Sequence, residues 1–116
     1  HNAGGGVGIA AMQIARLRRG IVIGTASAAK HNALRSLGID HVIDYRTADV
    51  EAAVMDLTRG RGVDVVMDPI GGESLAASYR MLAPLGIALE CGTVDVIDRL
   101  YNWPSIIHQP ARVQVA

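Results

Sequence analysis

The chain has 116 residues, half of them apolar, and its 11 basic residues are balanced by 11 acidic ones. This length suffices for one small domain. Because no net positive charge is available to recruit polyanions, we expect no nucleic-acid partner and no attraction to an anionic membrane. The single cysteine excludes a disulfide framework within the chain and fits a cytoplasmic location. No apolar run approaches the roughly 20 residues of a membrane span.

Predicted helices and strands alternate along the chain. The pattern gives helices at 7–18, 29–37, 49–58 and 73–82, and strands at 21–25, 41–45, 63–68 and 87–91, with Pro84 and Gly86 breaking the chain before the last strand. Such alternation is typical of βαβ units with right-handed crossovers. It predicts an α/β fold with a doubly wound parallel sheet. We assign residues 1–95 to this domain and residues 96–116 to a tail of short helix or loop.

A glycine-rich turn, HNAGGGVG at residues 1–8, opens the first helix. Unpaired N–H groups at the start of a helix form a site for phosphate. In the dinucleotide-binding pattern G-x-G-x-x-G, Ala3, Gly5 and Gly8 fill the three glycine positions. Gly5 would let the backbone approach a pyrophosphate, and Gly8 would let the helix pack closely on the sheet. Taken alone, the same residues are equally compatible with an ordinary turn.

A phosphate-binding turn of this kind normally follows a buried strand, and no strand precedes it in this sequence. We therefore expect the chain to begin just after the first strand of the fold. The sheet would then lack its central member, which another segment or a partner chain would have to supply.

The residues at the end of the predicted strand 21–25, which would be the second strand of the complete fold, indicate which nucleotide is bound. An NAD-selective site has an acidic residue about 20 positions after the start of the pattern. Residues 20–31 contain no acidic residue and offer Thr25, Ser27 and Lys30 instead. Hydroxyls and an ammonium group suit a 2′-phosphate, so the sequence favours NADPH over NADH. Lys30 could instead be a solvated lysine at a helix start, although its position just after a strand end favours the binding role. Tyr45, after the next strand, could equally close over the adenine ribose or lie on the surface.

Other polar residues have simpler interpretations. Asp68 is expected to cap the turn that follows its strand, and Cys91 is expected to be a buried small apolar residue rather than a nucleophile. The histidines have no metal-ligand spacing with one another or with cysteine and acidic residues, so no metal site is predicted. No residue of the chain is identified as catalytic.

Four segments together resemble a known family. They are HNAGGGVG at 1–8, GTASAAKH at 24–31, GIDHVIDY at 38–45 and GVDVVMDPIGG at 62–72. In this order and spacing they resemble the cofactor-binding domain of the medium-chain dehydrogenase/reductase superfamily. Within it, the sequence is similar to the zinc-independent quinone oxidoreductases, especially the vesicle amine transport protein branch. The resemblance covers residues 1 to about 95.

The resemblance implies a Rossmann domain that binds NADPH beside a GroES-like catalytic lobe, in an oxidoreductase that reduces quinones or α,β-unsaturated carbonyls by hydride transfer. It also implies dimerisation through the sheet edge near the last strand. The chain alone would not turn over substrate, because the GroES-like lobe is absent from it. The implied cofactor-binding residues are Gly5, Gly6, Val7 and Gly8 at the pyrophosphate, Ser27, Lys30 and Tyr45 at the 2′-phosphate, and Gly92 beside the nicotinamide ribose.

Two alternatives stay open. The first is an enoyl reductase domain of a modular polyketide or fatty acid synthase, which shares the fold and the cofactor. The second is a non-catalytic module that binds a nucleotide or a partner. A methyltransferase of similar fold is disfavoured, because that chemistry usually requires an acidic residue after the second strand.

Overall fold

The computed structural model describes residues 1–92, so the predicted tail at 96–116 lies outside the described residues. Helices and strands alternate as predicted. They are α1 (Gly6–Leu17), β1 (Ile23–Thr25), a short 3-10 helix (Ala28–Lys30), α2 (His31–Ser36), β2 (His41–Ile43), α3 (Val50–Leu57), β3 (Val63–Asp68), α4 (Gly72–Arg80) and β4 (Leu82–Glu90). This alternation of helices and parallel strands confirms the α/β class.

The four strands form two parallel pairs. β1 pairs with β2, and β3 pairs with β4. Within residues 1–92, β1 and β3 are not hydrogen-bonded to each other. Residues 1–3 lie between them instead, because the Ala3 N–H donates to the Thr25 carbonyl at 3.0 Å and the His1 nitrogen donates to the Met67 carbonyl at 2.7 Å. The described strands therefore flank the position at which a central strand was expected.

The last strand is longer than predicted. β4 begins at Leu82 and includes both Pro84 and Gly86, which were expected to end the preceding segment. The prediction was wrong about the boundary but marked a real irregularity, since the register with β3 shifts at this point. Leu85, between them, has a φ of 65° and is fully exposed. Proline cannot donate to the ladder, so the strand loops outward there and resumes pairing at Ile87.

Small and branched aliphatic residues build the interior, as expected for a sequence without phenylalanine. One cluster joins α1, α2 and β1 and contains Ala3, Met12, Ala26, Leu34 and Ile39. A second cluster joins α3 to the ends of β2 and α4 and contains Ile43, Val54 and Met81. Burial of these side chains holds the helices on the strands and fixes the loops at the strand ends.

The side chain of Asp49 caps α3. Its Oδ1 accepts a hydrogen bond from the Ala52 N–H at 3.0 Å. We expect Asp49→Ala to lower the free energy of unfolding by about 1 kcal/mol, because the N–H loses its acceptor. Urea unfolding followed by circular dichroism measures the change. Asp56→Ala, an exposed aspartate near the other end of α3, is the matched control and should not be destabilising. Equal losses in both variants would contradict the capping role.

Candidate functional site

The glycine-rich turn leads directly into α1. Gly5 is the N-cap residue, provides no side-chain hydrogen bond, and is followed by a first turn without acidic residues. Gly6 and Val7 are exposed, and a Cβ built on Gly6 would have no heavy atom within 4 Å. The N-terminus of a twelve-residue helix therefore faces open space, with its partial positive charge uncompensated by a carboxylate.

Close packing restricts two glycines of the turn, Gly8 through backbone atoms and Gly5 mainly through the Asn2 side chain. A Cβ on Gly8 would lie 2.5 Å from the Asn2 carbonyl oxygen and 2.8 Å from the Cα of Ala3. A Cβ on Gly5 would lie 2.9 Å from the Asn2 side-chain nitrogen, and the Gly5 N–H donates to the Asn2 carbonyl at 3.0 Å. Gly8 was expected to allow α1 to pack on the sheet. The structure shows that the surface it packs on is the backbone of residues 2 and 3.

Lys30 lies over the glycine-rich turn. A Cβ on Gly4 would be 2.5 Å from Lys30 Cδ and 3.4 Å from its Nζ. Lys30 ends the 3-10 helix that follows β1, and its N–H donates to the carbonyl of Ser27 at 2.9 Å. Folding thus brings an exposed ammonium group from the end of β1 to the start of α1. Lys30 is the one lysine of the sequence.

Ser27 and Tyr45 follow the ends of two neighbouring strands. The parallel ladder continues past β1, because the Ala26 N–H donates to the Ile43 carbonyl at 3.1 Å. Ser27 is half-buried and Tyr45 is exposed, with the Arg46 guanidinium 5.8 Å from its ring centroid. Both residues therefore lie at one edge of the β1–β2 pair. Gly92 lies beyond the end of β4 in the other pair, is exposed, and has a φ of 96°.

A buried polar cluster lies between the two strand pairs, and the sequence indicated only part of it. Asp68 is fully buried and caps its turn as expected, because its Oδ1 accepts from the Ile70 N–H at 2.7 Å and the Gly71 N–H at 3.1 Å. Its Oδ2 accepts from the hydroxyl of Ser78, also fully buried, at 3.0 Å. The ring of His1 contacts Ser78.

No sequence pattern singled out His1 or Ser78 as members of this cluster. His1 Nε2 lies 3.0 Å from the Ser78 hydroxyl and Nδ1 lies 3.3 Å from the Thr25 hydroxyl. The partners are more than twenty residues apart in sequence, so only the tertiary structure reveals them.

Cys91 was expected to be buried, and this is wrong. It lies just after β4 and is exposed, while its N–H donates to the Asp68 carbonyl at 3.1 Å. Among residues 1–92, no three His, Cys, Asp or Glu side chains are grouped so that they could hold a metal ion. The helices in that part of the chain are also too short or too polar to cross a membrane.

The chain is similar to a VAT-1 homolog, to an enoyl reductase and to a quinone oxidoreductase. The human synaptic vesicle membrane protein VAT-1 homolog is 43% identical over 98 residues, which cover 84% of this chain and 25% of that protein. The CurK enoyl reductase structure is 42% identical with a TM-score of 0.74, over 79% of this chain and 28% of that one. Escherichia coli quinone oxidoreductase complexed with NADPH is 33% identical with a TM-score of 0.74, over 80% of this chain and 29% of that one.

The chain therefore spans about a quarter of the length of the human relative. Residues 6–115 match the sequence profile of the family described as zinc-binding dehydrogenase, which is nearly the whole chain. The turn at the start of α1, the parallel strands and these neighbours agree with that match. The chain belongs to the zinc-binding dehydrogenase family of the medium-chain dehydrogenase/reductase superfamily, as its cofactor-binding part.

Proposed function

We propose that this chain binds NADPH as the cofactor domain of an oxidoreductase that reduces quinones or α,β-unsaturated carbonyls. The observation that carries the proposal is the position of Lys30 over Gly4, beside the open N-terminus of α1. A helix N-terminus favours a pyrophosphate, and an ammonium group beside it favours a further phosphate. Residues 20–31 contain no carboxylate that would repel a 2′-phosphate.

The residues present fit the cofactor. Gly5, Gly6, Val7 and Gly8 would hold the pyrophosphate through backbone N–H groups, since the space beside Gly6 is free of protein atoms. Lys30, Ser27 and Tyr45 would hold the 2′-phosphate, and Gly92 would lie near the nicotinamide ribose. When bound, NADPH supplies the hydride, so these residues bind and orient rather than react. Quinone oxidoreductase of Escherichia coli, with NADPH in its structure, supports this assignment.

The rest of the proposal concerns the complete protein. We infer that a GroES-like lobe supplies most of the substrate pocket, that the protein forms a homodimer, and that it acts on a small molecule in the cytoplasm without a metal. A proton must reach the substrate after hydride transfer, and no residue of this chain is assigned to donate it. The balanced charge of the sequence supports a partner that is neither nucleic acid nor an anionic surface.

A second candidate is an enoyl reductase domain of a polyketide or fatty acid synthase, favoured by the 42% identity to CurK enoyl reductase. The residues beyond this chain distinguish the two, because flanking synthase domains would accompany only the second. A third candidate is a non-catalytic module, suggested by the printed name of the VAT-1 homolog, a synaptic vesicle membrane protein. Tight NADPH binding without turnover in the complete protein would favour it.

Lys30→Ala tests the proposed cofactor. We expect the affinity for NADPH to fall about tenfold to a hundredfold, because a charged contact to phosphate is lost, while the weaker affinity for NADH stays unchanged. Fluorescence titration of the complete natural protein with each nucleotide measures both. Arg18→Ala removes an equivalent charge at the other end of α1 and is the matched control. Equal affinity of the natural protein for NADPH and NADH would contradict the proposal.

A further inference from the structure

We propose that His1 is a positioning residue that fixes the loop after β3 against the glycine-rich turn, and thereby orients the nicotinamide half of the dinucleotide. This inference rests on the proposed function. It assigns a role to the first side chain of the glycine-rich turn, whose contacts are with Thr25 and Ser78. The observations that carry it are the hydrogen bonds of His1, Ser78 and Asp68.

The direction of these hydrogen bonds follows from the number of available hydrogens. The Ser78 hydroxyl has one hydrogen, and it faces two acceptors, Asp68 Oδ2 at 3.0 Å and the Ser74 carbonyl at 2.9 Å. Whichever acceptor it chooses, the contact with His1 is a hydrogen bond only if Nε2 carries the donated hydrogen. The Thr25 hydroxyl can then donate to Nδ1 of the neutral ring. His1 is thus held from both sides, by β1 and by α4.

The same hydrogen bonds continue into the loop. One carboxylate oxygen of Asp68 accepts a hydrogen bond from the Ser78 hydroxyl. The other accepts hydrogen bonds from two N–H groups of the loop, those of Ile70 and Gly71. His1 is two residues before Ala3, whose N–H is bonded to β1. The imidazole therefore connects the start of the glycine-rich turn to the loop 69–71 through two fully buried side chains.

This connection bears on the nicotinamide half because the Asp68 carbonyl also accepts from the Cys91 N–H at 3.1 Å, next to Gly92, which the proposed function places near the nicotinamide ribose. The hydrogen bonds of His1, Ser78 and Asp68 therefore help to set the separation between the glycine-rich turn and the loop after β3. A dinucleotide that contacts both loops needs that separation to be correct, whereas a ligand that contacts only the adenine side does not.

The test compares two ligands in the complete natural protein. NADPH spans both loops, and adenosine 2′,5′-bisphosphate represents only the adenine half. We expect His1→Ala and Ser78→Ala to weaken NADPH binding about tenfold and to leave the bisphosphate affinity within about twofold. His1→Gln, which can extend an N–H toward Ser78, should restore most of the NADPH affinity. His1→Asn, too short to reach Ser78, should not. His41→Ala, an exposed histidine at the start of β2, is the control.

Each outcome is decisive. Equal losses for both ligands would assign His1 a general structural role and overturn the inference, and unchanged NADPH binding in the variants would overturn it as well. In either case the natural protein still binds NADPH, so the proposed function survives. If the natural protein binds neither ligand, both fail. Should His1→Ala not fold, the contrast between glutamine and asparagine gives the same decision.

Discussion

Gly8→Ala is expected to lower the free energy of unfolding by about 3 kcal/mol, a large effect for the addition of one methyl group. The added Cβ would lie 2.5 Å from the Asn2 carbonyl oxygen, 2.8 Å from the Ala3 Cα and 2.9 Å from the Ala3 carbonyl oxygen. All three are backbone atoms, which cannot rotate away as the end of a side chain can. The turn would have to separate from α1, so NADPH binding should also be lost.

Gly6→Ala is the matched control for this prediction. A Cβ at Gly6 meets no atom within 4 Å, and alanine is a better helix former, so stability should rise by about 0.5–1 kcal/mol. The same Cβ would occupy space proposed for the pyrophosphate, so NADPH affinity should fall although the protein is more stable. Urea unfolding and fluorescence titration on the two variants separate packing from binding. Equal stability of the two variants would contradict the close approach inferred at Gly8.

Asp68→Ala is expected to lower the free energy of unfolding by about 3–5 kcal/mol. The carboxylate is fully buried and accepts hydrogen bonds from two backbone N–H groups and from Ser78. Its removal takes the side-chain acceptor away from the Ile70 and Gly71 N–H groups and leaves a space in the interior beside Ser78. Thermal and urea unfolding of the variant, compared with the natural protein, measure the loss.

Two further variants sharpen the Asp68 prediction. Asp68→Asn keeps an oxygen for the Ile70 and Gly71 N–H groups and should cost clearly less than alanine. Asp64→Ala removes an exposed carboxylate of the same strand, where Arg61 lowers the pKa of Asp64 through a surface ion pair, and should change stability little. A similar effect at Asp64 and Asp68 would show that burial of the hydrogen-bonded carboxylate is not what stabilises the loop.

Local sequence patterns were sufficient to predict most of the helices and strands of this fold. The apolar run at 63–68 and the glycine-rich start of α1 are local signals, and both elements lie where the sequence placed them. Asp49 and Asp68 are also local, because each caps N–H groups within three residues. The beginning of β4 was missed because Pro84 and Gly86 interrupt pairing without ending the strand, and only the partner strand reveals that pairing resumes.

The features of the candidate site also fall into those that the sequence predicted and those that it did not. The glycines of the turn and the absence of acidic residues at 20–31 are properties of the sequence, and they indicate a nucleotide with an additional phosphate. Exposure of Cys91 was not predictable, because a cysteine at a strand end has no local feature that distinguishes a covered position from an open one. Its burial depends on elements that pack from elsewhere in the chain.

By itself, the sequence determined the alternation of helices and strands, the glycine-rich turn, and the presence of Lys30 without an acidic residue at 20–31, because these depend on backbone preferences and short spacings. Only the tertiary structure brought Lys30 over Gly4 and joined His1, Ser78 and Asp68. These contacts connect residues from 10 to 77 positions apart. Their geometry is set by the packing of helices on strands and not by any neighbouring residue type.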